Sequence, residues 1–109
     1  MARLSTHVLD TARGAPVSGM RIDLLSAGTL VKSMTTSADG RALILEQAAS
    51  GEFELVFHAG EYFRRLGLEL PDPPFFDKIT IRFGLADPQG SYHVPLLLSP
   101  YGYSTYRGS

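Results

Sequence analysis

Three histidines, one isolated arginine and an aromatic closing segment are the residues of this chain that could do chemistry. Histidine is the usual general acid or base near neutrality, with a reference pKa of about 6.5. His58 stands beside Ala59-Gly60 at the end of an apolar run and reads as a structural residue. His7, between Thr6 and Val8, and His93, between Tyr92 and Val94, each lie inside an apolar stretch. An imidazole there must find a partner or face a pocket. Arg41 directly follows Asp39-Gly40. It is either a solvated arginine at a hairpin end or a planar donor that grips carbonyl or enolate oxygens through two hydrogen bonds. Tyr101, Tyr103, Thr105 and Tyr106 run almost to the last residue, where a frayed tail would need no aromatic side chains.

Other chemistries lack their residues. There is no cysteine, and so no disulfide, thiolate nucleophile or Cys-containing zinc site. No His-x-x-x-His and no dense acidic cluster is present, so a metal site is not expected. Neither a Gly-x-Ser-x-Gly elbow nor a Gly-rich phosphate loop occurs. The net charge is −1 and no like-charged run exceeds Arg64-Arg65, which argues against a nucleic-acid partner. With 44% hydrophobic and 19% charged residues, the chain is neither disordered nor membrane-spanning in composition. The start has no apolar stretch of signal-peptide length and the end is not Ser-Lys-Leu, so the cytoplasm is the expected compartment.

The elements that must position these residues read as strands of one domain, 1–109. In Leu4 to Thr11, Ser5, His7 and Leu9 share one face, and Leu4, Thr6, Val8 and Asp10 the other. Met20, Ile22 and Leu24 alternate with polar residues; so do Phe53, Leu55 and Phe57, and Ile79, Ile81 and Phe83. Leu30 to Thr36 leads into Ala38-Asp39-Gly40, a hairpin signal because glycine suits a positive φ. Glu61 to Leu66 reads as a short helix, and Pro71, Pro73 and Pro74 as an extended loop. Short strands and frequent turns describe an all-β sandwich or barrel. Val94-Pro95-Leu96-Leu97-Leu98 breaks the alternation. Pro95 suggests an edge or a bulge, and apolar groups on both faces suggest cover by a second subunit or a two-sided core strand.

Three segments carry a resemblance. Leu4-Ser5-Thr6-His7-Val8-Leu9-Asp10-Thr11 with Gly14, Pro16 and Gly19 resembles the opening motif of the 5-hydroxyisourate hydrolases, the transthyretin-like proteins of urate breakdown. Asp39-Gly40-Arg41 resembles their middle motif. Tyr92 to Pro100, then Tyr103 to Ser109, resembles their closing motif nearly in full. The resemblance implies a transthyretin-like β-sandwich of two four-stranded sheets with one short helix. It implies a homotetramer in which dimers form by edge pairing and two dimers face each other around a channel. It implies cofactor-free hydrolysis of 5-hydroxyisourate to 2-oxo-4-hydroxy-4-carboxy-5-ureidoimidazoline, with His7, Arg41, His93 and Ser109 at the dimer–dimer interface. Ser109 would act through its hydroxyl or a terminal carboxylate, and Tyr106 and Arg107 would brace the site or hold substrate. Transthyretin itself, a carrier of thyroid hormone, shares the fold. The carrier branch replaces the site histidines and arginine and lacks the closing Tyr-Arg-Gly-Ser, all present here. Two departures, Ser91 where many members have histidine and Asp77-Lys78 after Phe75-Phe76, are expected to lie away from the site.

Overall fold

The computed structural model describes residues 2–108. Nine strands and one helix run in the order β1 (Ala2–Asp10), β2 (Ala15–Pro16), β3 (Arg21–Ser26), β4 (Thr29–Thr35), β5 (Arg41–Ala48), β6 (Gly51–His58), α1 (Ala59–Arg65), β7 (Lys78–Leu85), β8 (Ser91–Ser99) and β9 (Gly102–Thr105). They form two sheets. One has the order β4-β3-β6-β7, with every pairing antiparallel. In the other, β1 is central: β8 pairs with it in parallel on one side, and β9 continues beyond β8. On the far side of β1, β5 pairs along Ala2–His7 and the two-residue β2 along Leu9–Asp10. The expected four strands are thus present, and β2 extends the β5 side.

Period-2 alternation produces the sandwich. Ala2, Leu4, Thr6, Val8 and Asp10 of β1 point inward and are buried, while Ser5, His7 and Leu9 face out and are half-buried. Leu4, Ile22, Leu24, Ile44, Leu55, Phe57, Leu96 and Leu98 meet in the core between the sheets with no exposed surface. Fully burying one such side chain contributes roughly 1.5–3 kcal/mol. The helix falls one or two residues earlier than the sequence suggests. It carries Glu61 in its first turn and Arg64 and Arg65 in its last, each sign favourable to the helix dipole. Its Tyr62 hydroxyl donates to buried Asp10 at 2.7 Å, and the other Asp10 oxygen accepts the Ala12 and Arg13 amides at 3.0 and 3.1 Å. That network fixes the end of β1 against α1.

Two local readings are corrected. Asp39-Gly40 does not close a hairpin, because β4 and β5 belong to different sheets. It turns the corner between them. The positive φ at Gly40 is real, at 78°, and its carbonyl accepts the Val8 amide at 2.8 Å, pinning the corner to β1. Pro95 is not on an edge strand, since β8 runs between β1 and β9. The β8–β9 pairs Ser99↔Gly102 to Leu96↔Thr105 stop at Pro95, and the same register resumes as an isolated bridge at His93↔Gly108. Pro95 has no N–H to donate, so the ladder skips that step. The Thr105 hydroxyl donates to the Pro95 carbonyl at 2.8 Å instead. Leu96 and Leu98 are core residues, and Leu97 is half-buried on the outward face.

Candidate active site

The outward face of the β1-centred sheet gathers the candidate residues in three rows. Cross-strand pairing sets them: Arg3 with Ser91; then Ser5 with Leu43 on one side and His93 on the other; then His7 with Arg41 and Pro95. Directly paired residues point to the same face. Rows are about 6.6 Å apart along the strands and columns about 4.8 Å apart across them. The Cα atoms of His7 and His93 therefore lie about 8 Å apart, within reach of one small molecule.

A cavity of about 360 Å³ opens on this face, lined by Arg3, Ser5, Arg41, Leu43, Ser91 and His93 among others. His7 stands in the row beside it, and its Nε2 lies 2.9 Å from the Asp39 carbonyl. A carbonyl only accepts, so Nε2 carries a proton, and in the neutral ring the lone pair is on Nδ1. The Asp39 carboxylate lies 3.4 Å from Arg41 Nε. Both groups are well exposed, so the pair orients the guanidinium and adds little stability. The Ser37 hydroxyl donates to the same carboxylate. Its hydrogen bond is the largest effect holding Asp39 below the ordinary carboxylate range, with Arg41 a lesser one.

His93 is the most constrained of the three. Its Nδ1 is 2.9 Å from Ser5 Oγ. Its carbonyl accepts the Gly108 amide at 2.7 Å. Gly108 lies so close to the ring that a Cβ placed there would stand 2.7 Å from His93 Cδ2. Burial first, then the positive field of Arg41 and of His7, push the His93 imidazole below the ordinary histidine value. Each of these effects favours the uncharged ring over the imidazolium.

The sheet thus brings His7, Arg41 and His93 together. Ser109 lies outside the described residues, although its neighbour Gly108 is held against His93. Tyr106 and Arg107 are not part of the cavity lining. They line a separate apolar groove with Ile81, Phe83, Tyr92 and Val94, where the Arg107 guanidinium sits 4.5 Å from the Tyr92 ring centroid. Arg107 braces the residue before His93 rather than the imidazole itself. Ser91 corrects an expectation: it lines the cavity, because its pairing with Arg3 places it on the outward face. His58 is in the other sheet, with Nε2 2.8 Å from Asp23, as suits a structural role. Among the described residues no three His, Cys, Asp or Glu side chains converge to hold a metal ion. A larger hollow, of about 510 Å³, is lined by Ser26, Gly28, Glu52, Phe53, Glu54 and Arg82. Its chemistry is one exposed Arg82–Glu54 ion pair at 3.0 Å.

Sequence reasoning missed Ser5, the Asp39 carbonyl and Gly108. Ser5 shares a face with His7 by simple alternation, which was the available signal. The other two act through backbone and through the lack of a side chain, which residue type does not advertise.

The chain as a whole is similar to known proteins. The profile of the HIUase/Transthyretin family matches residues 4–108. The chain belongs to this family. It is 56% identical over 115 aligned positions to 5-hydroxyisourate hydrolase 2 of Rhizobium meliloti, covering 98% of this chain and 96% of that protein. The structure of Klebsiella pneumoniae 5-hydroxyisourate hydrolase superposes with a TM-score of 0.87 at 33% identity, covering all of both chains. The crystal structure of transthyretin from Sparus aurata superposes with a TM-score of 0.83 at 26% identity, covering 96% of this chain and 95% of the other. The family therefore holds both a hydrolase branch and transthyretin, and the residues on the outward face bear on which one this chain follows.

Proposed function

We propose that this chain hydrolyses 5-hydroxyisourate to 2-oxo-4-hydroxy-4-carboxy-5-ureidoimidazoline, a cofactor-independent step of urate breakdown. The observation that carries the reading is the placement of His93 and Arg41 in one cavity wall, with His7 in the adjoining row. The high identity to a named 5-hydroxyisourate hydrolase supports it.

The chemistry follows from those groups. Hydrolysis of a ring amide needs a water made nucleophilic, charge accepted on the carbonyl oxygen, and a proton returned to the leaving nitrogen. His93 takes the proton from water as it attacks the carbonyl carbon. The Arg41 guanidinium receives the developing oxyanion through its paired N–H donors, a contribution of about 3–4 kcal/mol when a single such donor is lost. The tetrahedral intermediate then collapses, the C–N bond breaks, and the protonated imidazole returns the proton to nitrogen. His7 orients water or substrate from the next row, with its own ring tethered to the Asp39 carbonyl. Ser109 is assigned to hold a histidine or the substrate, and Tyr106 and Arg107 to support the closing segment.

The working unit is proposed to be a homotetramer, a dimer of dimers, in the cytoplasm. Leu9, Leu43 and Leu97 add apolar surface to the outward face, and Leu43 is 41% exposed in the single chain. A second copy over this face would shield the site from bulk water and strengthen the Arg41 contribution. The rival reading is a carrier that binds a small molecule in the same place without reacting. It needs neither a neutral base nor a guanidinium beside it.

Ultraviolet decay of freshly prepared 5-hydroxyisourate decides between them. Strong acceleration over buffer is expected, and no acceleration refutes the hydrolase. His93→Asn should nearly abolish turnover while leaving the assembly intact by gel filtration.

A further inference from the structure

Ser5 reaches a ring nitrogen of the site directly. Its Oγ lies 2.9 Å from His93 Nδ1. The contact is built into the ladder, because Ser5 and His93 are direct partners across β1 and β8. The buried Thr6 hydroxyl donates to the Val94 carbonyl at 2.6 Å and locks the next step of the same pairing. On the ring's other flank, Gly108 leaves no room at Cδ2. The imidazole is held between Ser5 and Gly108. Among the described residues its Nε2 has no hydrogen-bond partner, and the ring forms part of the cavity wall shared with Arg41.

A neutral imidazole carries one proton, and its place decides the role of the ring. With the proton on Nε2, His93 can only donate to what occupies the cavity. With the proton on Nδ1, Nε2 presents a lone pair and can act as the base. A serine hydroxyl can satisfy Nδ1 either way. We propose that Ser5 is a positioning residue that accepts a hydrogen bond from His93 Nδ1–H, fixing the tautomer whose Nε2 lone pair faces the cavity. This deepens the hydrolase reading and rests on it.

Two physical effects favour this orientation. The lone pair is the negative end of the ring dipole, and the Arg41 cation lining the same cavity stabilises the tautomer that presents it there. The Ser5 hydroxyl, once it accepts from Nδ1, keeps its own O–H to donate to cavity water. The choice of hydroxyl also has a reason. A carboxylate in the same place would orient the ring but stabilise imidazolium and raise its pKa. Serine orients the ring without opposing the downward push that burial and Arg41 exert on it.

The test reads the tautomer without relying on turnover. In ¹⁵N-histidine-labelled full-length protein at mildly alkaline pH, two-bond ¹H–¹⁵N correlations distinguish Nδ1–H from Nε2–H rings. His93→Asn identifies the His93 signals. The native protein should show His93 as the Nδ1–H form. Ser5→Ala should mix the two forms and lower kcat on the order of 10- to 100-fold with KM nearly unchanged, the usual scale for a lost orienting partner. Ser5→Thr should restore both. Ser5→Asp should keep the Nδ1–H form but move the acid limb of the rate profile to higher pH. A native Nε2–H ring overturns the proposal, as does Ser5→Ala with unchanged tautomer and kcat. A native Nδ1–H ring in a protein that fails to accelerate 5-hydroxyisourate decay would instead overturn the hydrolase reading and leave the Ser5 contact standing.

Discussion

Replacing Gly108 by alanine should cripple the reaction while sparing the fold. The added Cβ would sit 2.7 Å from His93 Cδ2 and 3.3 Å from both Cβ and Cγ of the same residue. Ordinary carbon contacts are about 3.5–4.0 Å, so ring and tail must separate by about 1 Å. If the ring moves, its 2.9 Å contact with Ser5 stretches beyond hydrogen-bonding range. If the tail moves, the 2.7 Å bond from the Gly108 amide to the His93 carbonyl goes instead, and the brace is lost. A displacement of this size at a reacting group costs about 10²-fold in rate, or about 2.7 kcal/mol of barrier. Gly102→Ala is the matched control, since its nearest foreign atom would be Ser99 Oγ at 3.6 Å, an ordinary contact. The assay is kcat and KM on 5-hydroxyisourate for both variants, with thermal unfolding alongside. Gly102→Ala should stay within about threefold of the parent, and Gly108→Ala should lose kcat about 100-fold. A Gly108→Ala enzyme with near-parent kcat would refute the claim that the tail holds the ring. A loss confined to KM would show that the tail meets substrate rather than bracing His93.

Arg41→Gln should act twice. It should cut kcat by about 10²–10³, the cost of losing an oxyanion donor, and it should move the acid limb of the kcat/KM profile to higher pH. The sign follows from His93, whose value is depressed in part by Arg41: removing the cation lets the imidazole protonate sooner as pH falls. An unmoved limb would show that His93 does not set it. In the parent enzyme that limb should lie below the ordinary histidine value of about 6.5, as pH-rate measurements can check. Gly40→Ala should destabilise the fold, because the new Cβ would meet the Val8 carbonyl at 2.5 Å in a backbone with φ of 78°. Denaturant titration should show a loss of at least about 1–2 kcal/mol from the left-handed backbone alone. Tyr62→Phe removes the 2.7 Å donor to Asp10, a buried carboxylate, and should cost about 1–3 kcal/mol with turnover little changed. Loss of activity in the still-folded variant would tie the helix to the site.

Much of the site could be read from residue order, and the limits of that reading are physical. Strict alternation in β1 put Ser5, His7 and Leu9 on one face, as found. Types and spacing singled out His7, His93 and Arg41 and set His58 apart. The contact between Ser5 and His93 spans 88 residues and arises from a parallel pairing that no local pattern encodes. Asp39-Gly40 gave a sound turn signal, but turn chemistry does not say which sheet the next strand will join. Pro95 was misjudged for a related reason. The rule that proline avoids central strands concerns its missing donor, and here that position faces a gap in the β9 ladder. Ser91 was expected away from the site because its row could be recognised only after its pairing with Arg3 was known.

The register between β1 and β8 is what makes one site from the two ends of the chain. A one-residue slip would turn every side chain of β8 to the opposite face relative to β1. His93 would then leave Ser5, and Tyr92 or Val94, both buried, would be driven out toward the cavity. Core and site therefore oppose that slip together. Leu96 and Leu98 hold the inward face with no exposed surface. The Thr6 hydroxyl to the Val94 carbonyl, and the Thr11 amide and hydroxyl to the Leu98 carbonyl, mark the same alignment at 2.6, 2.8 and 3.1 Å. Thr6 also borders the cavity, and its bond and those of Thr11 mark the register that places His93 beside Ser5. Thr6→Val tests this link. It keeps the β-branched shape, leaves a buried carbonyl without its hydroxyl donor, and should cost about 1–3 kcal/mol. If the register is as strongly held as the core implies, kcat of the folded variant should be nearly that of the parent. A large loss of kcat with an intact fold would show instead that the threonine hydroxyl is what keeps His93 in its row.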